Sequence, residues 1–165
     1  MARLHWIELQ LPGRLATAAR PRADDWLDDE VESWKADGVD IVVSLLEPTE
    51  ARDLGLEREA ELCRACSVMF VSFPIPDFSL PENEREVARL ADSLVGELKQ
   101  GRSVVIHCRA GIGRSSVIAA CTMISAGLDA ADALSRIELA RGVRVPDTEA
   151  QRAWVMAFEK AGGVE

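Results

Sequence analysis

The sequence predicts an α/β fold: a central, mainly parallel sheet of about four to five strands flanked by helices. Three observations carry this reading. Apolar, largely β-branched runs at 39–46, 68–73 and 104–106 have the character of buried strands. Segments with helical apolar spacing or helix start and stop signals lie between and after them, the alternation expected of βαβ units. Finally, the 165 residues, 48% apolar and 28% charged, are enough for one core, and no linker, repeat or low-complexity tract divides them. Residues 1–165 are therefore read as a single domain.

In chain order, Leu4–Leu9 is a short strand closed by Pro12-Gly13. His5 within it is read as a packed or surface residue without a chemical role. Arg14, Arg20 and Arg22 make a basic segment, read as a solvated loop. Asp24-Asp25 opens a helix whose acidic first turn suits the helix dipole. Trp26, Leu27, Val31 and Trp34 form its inward stripe, and Gly38 ends it. Val39–Leu46 is almost uniformly apolar and so is placed centrally in the sheet. Pro48-Thr49 starts a helical stretch that Gly55 breaks and Glu57 resumes. Val68–Phe73 is the next strand. From Glu84, the positions Val87, Leu90, Ala91, Leu94, Val95 and Leu98 follow helical spacing up to Gly101. Leu128–Ala140 is a further amphipathic helix with Leu134, Ile137 and Leu139 inward, stopped by Gly142. A last helix is anchored by Trp154, Val155 and Phe158.

The stretch Ser103–Ser125 organises the chemistry. Val104-Val105-Ile106 is strand, 115–125 has the small and apolar residues of a tightly packed helix, and a glycine loop from Cys108 to Arg114 joins them. A strand that turns through such a loop into a helix aims several N–H groups and the positive end of the helix dipole at one spot, a site for an oxyanion. A cysteine there, near an arginine, has its thiolate favoured over its thiol, which makes Cys108 a candidate nucleophile. Arg114 offers a planar fork for two charge-assisted hydrogen bonds to a phosphoryl group. Gly111 and Gly113 let the backbone approach a ligand. Ser115 can donate its hydroxyl proton to the sulfur.

The run His107-Cys108-Arg109-Ala110-Gly111-Ile112-Gly113-Arg114-Ser115 resembles the phosphate-binding loop of cysteine-dependent protein tyrosine phosphatases, dual-specificity members included. The resemblance implies a phosphatase-like fold and a phosphate held by the N–H groups of Arg109, Ala110, Gly111, Ile112, Gly113 and Arg114. It also implies that His107 orients the cysteine rather than transferring protons. The family carries its general acid on a loop upstream of the cysteine. Here Phe73-Pro-Ile-Pro-Asp77-Phe-Ser-Leu-Pro81 is a stiff, proline-punctuated loop at a strand end, and Asp77 is its only acidic residue. Related enzymes place a glutamine near the site in the region of Gln151, where it would orient the hydrolytic water. Equally, Thr148-x-x-Gln151 is a capping box, and both readings stand. Arg141 and Arg144 either add positive potential at the mouth or are solvated. Related small phosphatases also use N-terminal loops as a substrate rim, which makes the basic segment at 14–22 a candidate for that role.

The implied reaction is two-step phosphoryl transfer through a phosphocysteine, with Cys108 as nucleophile, Arg114 as clamp and Asp77 as acid then base. It calls for no metal and no cofactor. The expected partner is a phosphorylated protein or small phosphomonoester. The chain has no tyrosine, so an aromatic wall for phosphotyrosine falls to Phe78. Phosphoinositide phosphatases of this superfamily tend to have lysines inside the loop, whereas Arg109, Ala110 and Ile112 occupy it here, which lowers a lipid reading. A non-catalytic phospho-binding module is the rival from another class. A formal net charge of −9 argues against a nucleic-acid partner, and no apolar run approaches the length needed to insert in a membrane. No N-terminal segment resembles a signal peptide, and four cysteines with a reactive thiol fit a cytoplasmic location. Cys63-x-x-Cys66 offers too few ligands for zinc and is read as two small apolar residues on a helix face, with a redox partnership to Cys108 as the alternative.

Overall fold

The computed structural model describes residues 2–162. Five strands, β1 (His5–Ile7), β2 (Leu15–Ala18), β3 (Ile41–Ser44), β4 (Met69–Ser72) and β5 (Val104–His107), form one sheet in the order β1-β2-β5-β3-β4. Only the β1–β2 pair is antiparallel; β2, β5, β3 and β4 run parallel. The helices are α1 (Leu27–Ala36), α2 (Pro48–Asp53), α3 (Glu59–Ala65), α4 (Glu84–Lys99), α5 (Arg114–Ser125), α6 (Ala130–Arg141) and α7 (Glu149–Gly162). The mainly parallel α/β architecture read from the sequence is the one found.

Strand alternation decides which layer each side chain joins. On β5, Val104 and Ile106 pack into the core shared with α4, α5, α6 and α7, while Val105 packs with Leu27, Val31 and Trp34 of α1 and Cys63 of α3. His107, two residues after Val105, therefore points to the α1–α3 side, where its ring lies 6.1 Å from that of Trp34. Registers Ala18↔His107 and Ser44↔His107 bring the ends of β2 and β3 level with the residue before the cysteine.

Several expectations change. The stretch 15–18, read as part of a solvated loop, is a fully buried strand between β1 and β5. Leu-Ala-Thr-Ala has weak strand preference and no alternation, so pairing on both edges decides its state. The first strand shrinks from 4–9 to His5–Ile7. Residues 24–26 form a 3₁₀ turn before α1, and Trp26, expected inward, is 56% exposed with the Arg22 guanidinium 4.7 Å over its ring. Leu139, also expected inward, is 80% exposed, because α6 buries only Ala130, Ala133, Leu134 and Ile137. Gly142 ends α6 as expected, in the left-handed conformation at φ +84°.

Candidate active site

Cys108 follows β5 directly and is buried, with Ser115 Oγ 3.3 Å from its sulfur. The Gly111 amide donates to the same sulfur over 3.3 Å. The turn that allows this requires φ +74° at Gly111, and a Cβ there would lie 2.7 Å from the Ala18 carbonyl carbon and the Ala19 nitrogen. Strand β2 therefore forms the floor under the loop. Arg141, left between two readings by the sequence, braces the loop from outside. Its Nε donates to the Gly111 carbonyl at 3.2 Å and its Nη2 to that of Ala110 at 3.3 Å. Arg144 instead makes an exposed ion pair with Glu149.

Arg114, in the first turn of α5, is 2% exposed. Its Nη1 donates to Glu50 Oε1 and to the Ile75 carbonyl, both at 2.8 Å, and its Nη2 to Glu50 Oε2 at 2.9 Å. Asp77 Oδ1 lies 3.1 Å from that Nη2 and also accepts from the Phe78 amide. Glu50 holds its place through the capping box of α2, accepting from the Glu47 amide. Burial disfavours the Glu50 carboxylate, but hydrogen bonding and attraction from Arg114 win and hold its pKa below the ordinary value. Thus the proline-punctuated loop after β4 brings Asp77 to the guanidinium, and the helix after β3 fixes that guanidinium.

Behind the cysteine, His107 is fully buried. Its Nε2 stands 2.6 Å from Glu59 Oε2 and its Nδ1 3.3 Å from the Cys108 carbonyl oxygen. Burial works against a charged ring, yet the adjacent Glu59 carboxylate outweighs it and raises the His107 pKa.

The capping-box reading of Gln151 is the one its contacts show. Its Oε1 accepts from the Thr148 amide and its own amide donates to Thr148 Oγ1, both at 3.1 Å, which completes the capping box. Its Nε2 is buried without a partner among the described residues and faces Gly113. Asp147 reaches the same place, since a Cβ on Gly113 would run into its Oδ2. Burial and the nearby Asp77 raise the Asp147 pKa against the pull of Arg114.

Three acidic residues of this site escape a reading of the sequence: Glu50, Glu59 and Asp147. Each lies at or near a helix start, where an acidic residue is ordinary. In the N-terminal basic segment, Arg14 stacks on Trp6 and Arg22 pairs with Glu30, so neither is free for a substrate. The Arg20 amide donates to the Arg109 carbonyl and ties that segment to the loop. Cys63 is buried and its thiol is pushed up to about 12 by burial, then by Glu59, while Cys66 is half-buried; neither is in a disulfide.

A family model described as "Polymorphic toxin system, DSP-PTPase phosphatase" matches residues 16–128. The chain belongs to this phosphatase family. The match takes in Glu50, Glu59, Asp77 and the whole 107–115 loop, and stops before Asp147 and Gln151. Among solved structures, this phosphatase chain is similar to kinase associated phosphatase with its catalytic-site cysteine replaced by serine. That pair has TM-score 0.88 and 20% identity over 99% of this chain and 97% of the other. Similarity to Tk-PTP in its active form has TM-score 0.73 and 27% identity, covering 90% and 92%. Similarity to PTPMT1 in complex with PI(5)P has TM-score 0.75 and 17% identity, covering 91% and 92%. No curated protein matches the chain in sequence. No helix among the described residues is long and apolar enough to cross a membrane.

Proposed function

We propose that the chain is a phosphomonoester hydrolase of the tyrosine or dual-specificity type, acting through a phosphocysteine intermediate as one domain over residues 1–165. The observation that carries this is the meeting of Cys108, Arg114 and Asp77: a sulfur over the turn into α5, with guanidinium and carboxylate 3.1 Å apart beside it. A phosphate dianion lies in the amide cradle of 109–114 and takes the edge of Arg114 for which Asp77 competes. Cys108 attacks phosphorus in line while Asp77 protonates the departing oxygen. Asp77 then takes a proton from the water that attacks phosphocysteine, and Gln151, whose Nε2 has no partner among the described residues, orients that water. Ser115 donates to the thiolate released in that second step. Fixed amides and guanidinium oppose the equatorial charge of the transition state, the largest contribution to the rate.

Phe78 bears on the substrate. It is 68% exposed beside Asp77 and sits at φ +58°, a costly conformation for a bulky residue that presents its ring outward. Such a ring supports an aryl phosphate, phosphotyrosine first. The fold likeness to PTPMT1 bound to PI(5)P makes a phosphoinositide the second substrate to try. The four unpaired cysteines accord with a reducing compartment such as the cytoplasm.

The deciding experiment is hydrolysis of a panel of phosphotyrosine and phosphothreonine peptides, PI(5)P and an aryl phosphate, by wild type and Cys108→Ser. The expected outcome is turnover by wild type with a trapped phosphoenzyme, and oxyanion binding without turnover by the variant. Binding with no turnover by wild type would establish the phospho-binding module instead.

A further inference from the structure

The least expected feature of the site is the acid–base pair sealed behind it. His107 and Glu59 have side chains 0% and 3% exposed, so solvent water does not solvate either of them in the folded state. Counting donors fixes what the pair must contain. The Cys108 carbonyl is an acceptor only, so the His107 Nδ1 beside it has to carry a hydrogen. A neutral imidazole would then present a lone pair at Nε2, and this nitrogen is 2.6 Å from a carboxylate oxygen. Two lone pairs do not approach to that distance, so a second proton lies between Nε2 and Glu59.

We infer that this proton resides on the ring, and that Glu59 is a positioning residue that holds His107 as an imidazolium to fix the Cys108 peptide and favour its thiolate. This rests on the reading of Cys108 as nucleophile. The order of groups along the chain of contacts accords with it: carboxyl of α3, ring at the end of β5, then the peptide of the nucleophile. The cation is thus the end that faces the sulfur's own residue, and the compensating anion is one ring further away. The charged groups around the ring divide cleanly. Glu59 on α3 favours the cation, Arg114 on α5 opposes it, and Trp34 on α1 offers a ring without charge. Cys63, one helical turn from Glu59, stays a thiol, because burial and that same carboxylate disfavour its anion.

The conservative variant separates the two parts of the role. In Glu59→Gln the side-chain amide still donates to Nε2 of a neutral ring, and Nδ1–H still reaches the Cys108 carbonyl. Orientation survives and the charge is lost. In Glu59→Ala both go. Two measurements, neither of which requires turnover, test the inference. The first is imidazole nitrogen NMR of the wild-type protein, which has only two histidines; His107 is told from His5 by its proximity to the Trp34 ring. The expected result is two protonated nitrogens on His107 at pH 7.5. A ring neutral at that pH would place the proton on Glu59 and overturn the inference.

The second measurement is the rate of Cys108 alkylation by iodoacetate against pH, followed by peptide mapping. Glu59→Gln is expected to lower the alkylation rate at pH 6 severalfold relative to wild type, with the two rates converging at alkaline pH. A profile unchanged from wild type would reduce Glu59 to scaffold. If phosphate esters were not hydrolysed while both results held, the phosphatase reading would fail and the pair would stand.

Discussion

Arg114 spends its fork on Glu50, and this makes Glu50 the residue on which the phosphate clamp depends. Removing that carboxylate leaves a buried guanidinium with only the Ile75 carbonyl and Asp77. Glu50→Ala is expected to cost roughly 3 kcal/mol, the low end for breaking a buried pair, measured by urea unfolding. The same variant should lose at least about a hundredfold in kcat/KM for an aryl phosphate, because the clamp is no longer aimed. Asp77 shares that guanidinium, so it competes with any incoming anion for one edge of it. Asp77→Asn should accordingly bind tungstate roughly threefold more tightly by calorimetry, an effect of the size measured for a partly exposed ion pair. It should also slow turnover of alkyl phosphates far more than of aryl phosphates. Asp147 carries the opposite strain: burial and Asp77 disfavour its charge. Asp147→Asn should therefore raise Tm at pH 7, and this gain should vanish once pH falls below the ordinary aspartate value.

The elements explain why some of this was legible in advance. β5, its loop and α5 announce themselves, because a β-branched run, two glycines and a small-residue helix are each local signals. The acid loop was legible for the same reason, through Pro74, Pro76 and Pro81. Glu50 and Glu59 were not, because each looks like an ordinary helix-start acid until the fold brings it to residues 64 and 48 positions away. β2 was missed on similar grounds. Its four residues gain their state from the neighbours on both sides and carry no pattern of their own. That strand makes a testable prediction about the loop above it. Gly111→Ala meets the Ala18 backbone and an unfavourable φ together, and should destabilise by at least roughly 2 kcal/mol with near-complete loss of turnover. Gly113→Ala meets only the Asp147 and Gln151 side chains, which can swing aside. Thermal melts of the two variants should separate them, with Gly111→Ala the lower by several degrees.

For the whole molecule, the buried pairs set a pH window. Glu50 has a lowered pKa, so its contribution is complete above the unfolded value of 4.5 and is lost as pH falls through the lower folded value. His107 has a raised pKa, so its contribution is complete below the unfolded value of 6.5 and is lost as pH rises through the higher folded value. Both are fully present between those two limits. Urea midpoints taken across pH should show that Glu50→Gln differs from wild type least at the acid end, and that Glu59→Gln differs least at the alkaline end. Parallel curves for wild type and variant would mean that the pairs do not couple to folding.

The third of five strands carries the nucleophile, with two strands lying between it and open solvent on either flank. Fraying at a margin, whether at the short β1 or at β4 with its outward Met69, must cross a full hydrogen-bonded neighbour before it disturbs the sulfur. The periphery of this molecule is thereby free to be reshaped, lengthened or joined to other chains while its reactive centre keeps its aim.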